Sequence, residues 1–209
     1  MFECPGGRLG FALAGITGSA ISAIQKCAKA LENTEPENTI TKVEEILERE
    51  YRRAIFEHPD YGSDPNLDYH LLISFWSRMT NSVSLFKTQQ HILHACYGSG
   101  CIGIGFELAN VLIRPFFADT LGEHDTLILA AYTLAQVKNN VPGCGGESMF
   151  ISMRHDGTAT PVTHLRMDQI EGVSARFDKA AHELLFAMGG DDEARLNANL
   201  EQFGIGRES

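Results

Sequence analysis

The chain has 209 residues, of which 44% are hydrophobic and 21% charged, a balance that fits one globular domain over 1–209 and excludes a disordered chain. The formal net charge is -10 with no Lys/Arg cluster, so neither nucleic acid nor an anionic membrane is an expected partner, and Leu9 to Ile16 is too short to span a bilayer. Five cysteines (Cys4, Cys27, Cys96, Cys101 and Cys144) at irregular spacing, with no signal peptide, point to free thiols in a reducing cytoplasm.

Arg8 to Ile16 is a short run of apolar and small residues that reads as a buried strand. Thr17-Gly18-Ser19 opens a helix whose one face carries Ala20, Ile21, Ile24, Cys27, Ala28 and Leu31. Asn33 to Asn38 contains Pro36 and reads as a loop. Thr41-Lys42-Val43-Glu44 has the pattern of a capping box, in which hydroxyl and carboxylate each satisfy a free backbone N–H. Val43, Ile46, Leu47, Tyr51, Ala54 and Ile55 then predict a second helix to about Phe56, and His58 to Asn66 ends it in a long turn.

Asp68 to Arg78 and Ser82 to Lys87 read as strands, the second by its alternation of Ser82 and Ser84 with Val83 and Leu85. Trp76 is expected in the core. His91 to Ile104 reads as another strand or strand pair with Gly breaks, and Phe106 to Ile113 as a helix stopping near Pro115. Asp125-Thr126 offers an N-cap for a helix whose face holds Leu127, Ala130, Ala131, Leu134 and Lys138. Asn139 to Gly146 is a turn. Ser148 to Met153 and Pro161 to Arg166 predict a hairpin around His155-Asp156-Gly157. Asp168 onward reads as helix, broken at Gly189-Gly190-Asp191, with a short last helix ending near Phe203. The order is strand, helix pair, strands, helix pair, strands, helix. It predicts antiparallel sheet covered by helix pairs rather than a doubly wound sheet.

Phe11 to Ala20, with its strand, Gly turn and helix, resembles the core-particle subunits of the proteasome. Cys101 to Leu112 is similar to that family's GxG turn followed by Ala and Leu at fixed spacing, and Leu127 to Val137 with Gly145-Gly146 and Ser148 to Ile151 is similar to its helix, Gly-Gly turn and strand. The resemblance covers roughly Arg8 to Gly157. It implies an N-terminal-nucleophile (Ntn) hydrolase fold: an α+β, four-layer α/β/β/α sandwich of two antiparallel sheets flanked by helices, here lacking the first strands. It also implies threonine-type peptidase ancestry, no cofactor or metal, assembly into homo-oligomers or rings with partner subunits, and site loops at Gly103, Ile104, Gly105, Gly145 and Gly146.

In the family the nucleophile is the first residue of the mature chain, usually Thr, and its own amine or a water takes the proton. Residues 1–7 contain no Thr, Ser or Lys. Cys4 would need cleavage after Glu3 and sits too near the next strand, and Thr17 occupies a strand-to-helix turn where Thr is structural. Ile104 stands inside the GxG turn where catalytic members have Ser, and Val141 stands four residues before Gly145 where they have Asp. Gly98-Ser99-Gly100 is an alternative match that restores the Ser and breaks the spacing to Ala109. No catalytic residue is therefore expected in this chain. Peptide or amide hydrolysis becomes possible if an upstream segment exists. The competing classes are a non-enzymatic ring or interaction subunit, and an unrelated helix-covered sheet protein. A truncated chain should leave an open sheet edge beside the Leu9–Ile16 strand.

Other constellations carry less. His94 and Cys96 share a strand face but His91 points the other way, which argues against a zinc site with Cys101. Glu123-His124-Asp125 reads as the acidic start of a helix rather than an acid–base group. Gly143 to Gly146 lacks the Lys-Ser/Thr of a phosphate loop.

Overall fold

The computed structural model describes residues 1–61, 63–64, 67–162 and 176–181. They fall in two units, Met1–Val162 and Thr163–Ser209; in the second, 176–181 is helical. The helices expected from Asp168 onward lie otherwise outside the described residues, as does the end of the strand expected to reach Arg166.

The first unit runs β1 (Phe2–Cys4), β2 (Gly7–Gly15), α1 (Thr17–Leu31), α2 (Thr39–Tyr51), β3 (Tyr69–Ser77), β4 (Ser82–Gln89), β5 (Ile92–Cys96), α3 (Phe106–Ile113), α4 (Glu123–Asn140), β6 (Ile151–Met153) and β7 (Ala159–Pro161). Strands β1 to β5 form one antiparallel sheet in chain order, and β6 pairs with β7 in a second sheet.

Alternation along β2 and β3 separates the two faces of the large sheet. Leu9 and Phe11 on β2 and Tyr69, Leu71, Ile73 and Phe75 on β3 point to α1 and α2, where they meet Ala20, Ala23, Cys27 and Leu31 of α1 and Val43, Ile46 and Leu47 of α2. Each fully buried Leu or Ile there contributes about 1.5–3 kcal/mol of burial free energy. The other face carries Arg8, Gly10 and Trp76, and the β6–β7 hairpin lies against it. Arg8 donates to the Gly157 carbonyl at 2.5 Å and Trp76 Nε1 to the His155 carbonyl at 2.8 Å. Helices α3 and α4 pack on each other. Glu123 at the start of α4 accepts from Ser152 Oγ at 2.8 Å and Arg154 Nε at 3.0 Å on the hairpin. The layers are thus helix pair, sheet, sheet, helix pair.

Several expectations are corrected. The first residues form a strand: Cys4 opposes Gly7 across Pro5-Gly6, closing a hairpin. Helix α2 starts at Thr39, not Thr41, because the Thr39 hydroxyl donates to the Pro36 carbonyl and continues a 3-10 turn, Pro36–Asn38, into the helix. Its last turn, Arg52–Phe56, widens to a π-helix. Helix α4 starts at Glu123 with Gly122 at its N-cap, so Asp125 lies in its first turn, where a carboxylate offsets the helix dipole. Its buried face holds Leu127, Ala131, Thr133 and Val137, and Leu134 is exposed. On α1 Ile21 is exposed and Ala23 buried. Only Ile92–Cys96 of the His91–Ile104 stretch is strand, and Trp76 packs over Gly157 on the inner face rather than in the core under the helices.

Among the described residues the outer edge of β2 is paired with β1 only from Gly7 to Leu9, so Phe11 to Gly15 leaves its main-chain groups open on that side. The antiparallel register sets Phe2 opposite Leu9 and Glu3 opposite Arg8.

Candidate functional site

A cleft of ≈ 670 Å³ opens where β2 ends and β3 begins. Gly15, Asp68 and His70 form its floor, the turn Gly103-Ile104-Gly105 and the first turn of α3 (Phe106, Glu107, Leu108) one wall, and Val141 its far side. The wall is fixed by backbone shape. Gly105 has φ 86 and caps α3, and a Cβ there would come 2.7 Å from Val137 Cγ1, so a side chain is excluded on both counts. Gly103 turns the same way at φ 84 and sits over Ala14.

The charged groups of the floor are held from behind. The Asp68 carbonyl accepts the Ile16 N–H at 2.9 Å, tying the end of β2 to the start of β3. Asp68 Oδ1 accepts from Tyr51 O–H at 2.8 Å and from the Tyr69 N–H at 2.6 Å. Its Oδ2 lies 3.6 Å from His70 Nε2, and both side chains are about one-third exposed. Burial, reinforced by the Asp68 acceptor, pushes the Tyr51 phenol well above its ordinary range, so it stays a donor. The result is a Tyr51–Asp68–His70 chain ending in a half-buried imidazole in a cleft whose other charged side chain, among the described residues, is Glu107. A His backed by a carboxylate is suited to moving a proton. Among the described residues, those lining the cleft include no hydroxyl, thiol or amine side chain to act as nucleophile.

The anticipated site loops are partly brought together. Gly103, Ile104 and Gly105 line the cleft, with Ile104 exposed. Gly145 and Gly146 lie outside it. The Gly146 carbonyl accepts from Lys138 Nζ at 2.6 Å, and Lys138 also reaches Ser148 Oγ. The two loops meet through Cys144, whose Sγ donates to the Ile104 carbonyl at 3.0 Å. Cys4 is buried at the end of β1, and Thr17 is the exposed first residue of α1. His91 stacks edge-on against Phe56 at 5.7 Å rather than facing His94 or Cys96, and no group of three metal-ligating side chains converges among the described residues.

The Asp68–His70 pair was the missed feature. They lie two residues apart where β3 begins, Asp68 just before the strand and His70 within it, a closeness present in the sequence. Tyr51, seventeen positions away on α2, carried no such signal.

No protein-family profile matches the chain, and no curated protein does. The solved structure of Anbu (ancestral beta-subunit) from Yersinia bercovieri matches with a TM-score of 0.62 at 16% sequence identity, over 85% of this chain and 82% of that one. At that identity the likeness speaks to the fold alone: the chain shares that structure's α+β architecture, two antiparallel sheets between helix pairs.

Proposed function

We propose that the chain acts as a proteasome-like subunit that builds an assembly without supplying a nucleophile of its own. The observation that carries this is the chemistry of the cleft: its site loops supply Gly103, Ile104, Gly105, Phe106 and Val141, and among the described residues the titratable groups lining it are Asp68, His70 and Glu107. Amide cleavage by this architecture needs a hydroxyl or thiol beside a free amine. Cys4, the one such side chain within residues 1–7, is buried in the β1–β2 turn region. The fold, and its likeness to Anbu, an ancestral beta-subunit, support self-association or association with partner subunits. The five free cysteines support a reducing, cytoplasmic setting. Among the described residues no helix is long and apolar enough to cross a membrane.

The β1 register favours a second reading, as a threonine-type hydrolase. Residues preceding Met1, where present, would continue β1 beside Phe11 to Gly15 and reach the mouth of the cleft. Two measurements on the 209-residue chain test the first reading. Sedimentation should give a mass above the monomer, and a panel of fluorogenic peptides should show no turnover. A monomer that cleaves peptides would refute it.

A further inference from the structure

Another cavity, of ≈ 290 Å³, lies between α1 and the end of α2 and shares no lining residue with the cleft. Gly18, Ser22 and Lys26 line it from α1, four residues apart on one helix face, with Ser19 beside them. The α2 side is shaped by the π-helical turn Arg52–Phe56, in which the Glu57 N–H reaches back to the Arg52 carbonyl at 3.0 Å. In a regular helix Ala54 would follow Leu47 into the core, seven positions on. The extra residue of the turn puts Ile55 there instead, 1% exposed, and leaves Arg53 at the cavity. Single π-helical turns of this kind recur at functional sites.

The lining holds more donors than the protein uses. Glu50 is its one acidic group among the described residues, and both carboxylate oxygens are taken, Oε2 by Lys26 Nζ and Oε1 by Arg49 Nε at 3.3 Å. The Lys26 ammonium has N–H groups left over after that bond. Arg53, Ser19 and Ser22 make no hydrogen bond or ion pair among the described residues. Gly18 has no packing reason to be glycine, since a Cβ on it would meet nothing within 4 Å, although Gly weakens a helix relative to Ala. Two cations against one carboxylate that is already paired leave the lining net positive, in a chain of net charge -10. The cavity therefore selects an anion. Its donors come from both helices, and a guanidinium fork matches the oxygens of a phosphoryl group.

We propose that this cavity binds a small tetrahedral oxyanion, inorganic phosphate or the phosphoryl group of a small monoester, held by Arg53 and Lys26 with the Ser19 and Ser22 hydroxyls donating from α1. Because the site has no residue in common with the cleft, it stands or falls apart from the assembly reading.

The test is to titrate the full chain with sodium phosphate at constant ionic strength, reading heat by calorimetry and amide shifts by NMR, with glycerol phosphate and acetate in parallel. The expected result is one saturable phosphate site, shift changes centred on 18–26 and 50–54, and markedly weaker acetate binding. Arg53→Gln should bind phosphate about tenfold more weakly, the loss of a charge-assisted hydrogen bond. Arg52→Gln makes the same charge change one position away, at a side chain paired with Glu48 on the surface, and should bind as wild type does. Circular dichroism checks that both variants keep the native fold. Glycerol phosphate binding with the same dependence on Arg53 would assign the site to a monoester, and its failure beside phosphate binding would assign it to the free ion. Absence of saturable phosphate binding, acetate binding as tight as phosphate, shifts centred elsewhere, or equal affinities in the two variants would overturn the proposal.

Discussion

Two tyrosines whose rings lie 5.4 Å apart should respond in opposite directions to loss of their hydroxyls. Tyr69 is 1% exposed, and its O–H has no hydrogen-bond partner among the described residues. Burying a hydroxyl without a partner costs about 1–3 kcal/mol. Tyr69→Phe removes that cost and keeps the ring packing, at the expense of a small void. The net expectation is about 1 kcal/mol of added stability, or ~2–4 °C in Tm for a chain of this size. Tyr51 is as deeply buried, but its O–H donates to the Asp68 carboxylate at 2.8 Å. A bond to a charged acceptor contributes about 1.5–3 kcal/mol, and the partial exposure of Asp68 places this one at the lower end. Tyr51→Phe should therefore lose about 1.5 kcal/mol, leaving the two variants roughly 2.5 kcal/mol apart. Urea titration of both at neutral pH reads the difference, provided the slopes match wild type. Equal destabilisation of the two would show that Tyr69 has a partner, such as a buried water, and would refute the reasoning.

Glu50 is 7% exposed. Burial alone would raise its carboxyl, but hydrogen bonds donated by Lys26 and Arg49 outweigh burial and hold it below the ordinary carboxylate range. Its folded pKa is thus below the unfolded value of about 4.3, so its contribution is complete above that value and lost as pH falls through the folded pKa. Glu50→Gln should flatten the decline of stability below about pH 5 relative to wild type, read by urea titration across that range; an identical acid decline would contradict the assignment. Gly105→Ala meets both a left-handed φ and a close contact with Val137, and should cost about 1–3 kcal/mol in thermal unfolding. A variant as stable as wild type would mean the cleft wall relaxes freely.

What could be read from the residues follows from how local each signal is. An apolar run marked β3, period-2 alternation marked β4, and the 3.6-residue period marked α1 and α2, because each of these signals lies within a few neighbouring residues. Helix α4 was misphased because apolar residues surround it, so Leu134 looked as eligible for burial as Thr133. Strand β1 was missed because three residues before Pro5-Gly6 carry no period, and only their pairing with β2 makes them a strand. The start of α2 moved because a side-chain bond to Pro36, made outside the helix, won over the capping-box pattern. In the site, the Gly103–Gly105 turn was visible as glycine spacing. The link from Tyr51 to Asp68, and the contact of Cys144 with Ile104 across forty positions, depend on tertiary packing and leave no local trace.

The account rests on the proposal that the cleft receives no nucleophile from this chain. The most direct test is to expose the folded protein to a peptide epoxyketone, which forms a covalent ring with a terminal amine and its neighbouring hydroxyl or thiol, and to weigh the intact chain. An unchanged mass, with no peptide turnover in the same sample, is the predicted result. A stoichiometric adduct mapped to the first residue, with matching loss of a measurable peptidase activity, would contradict it.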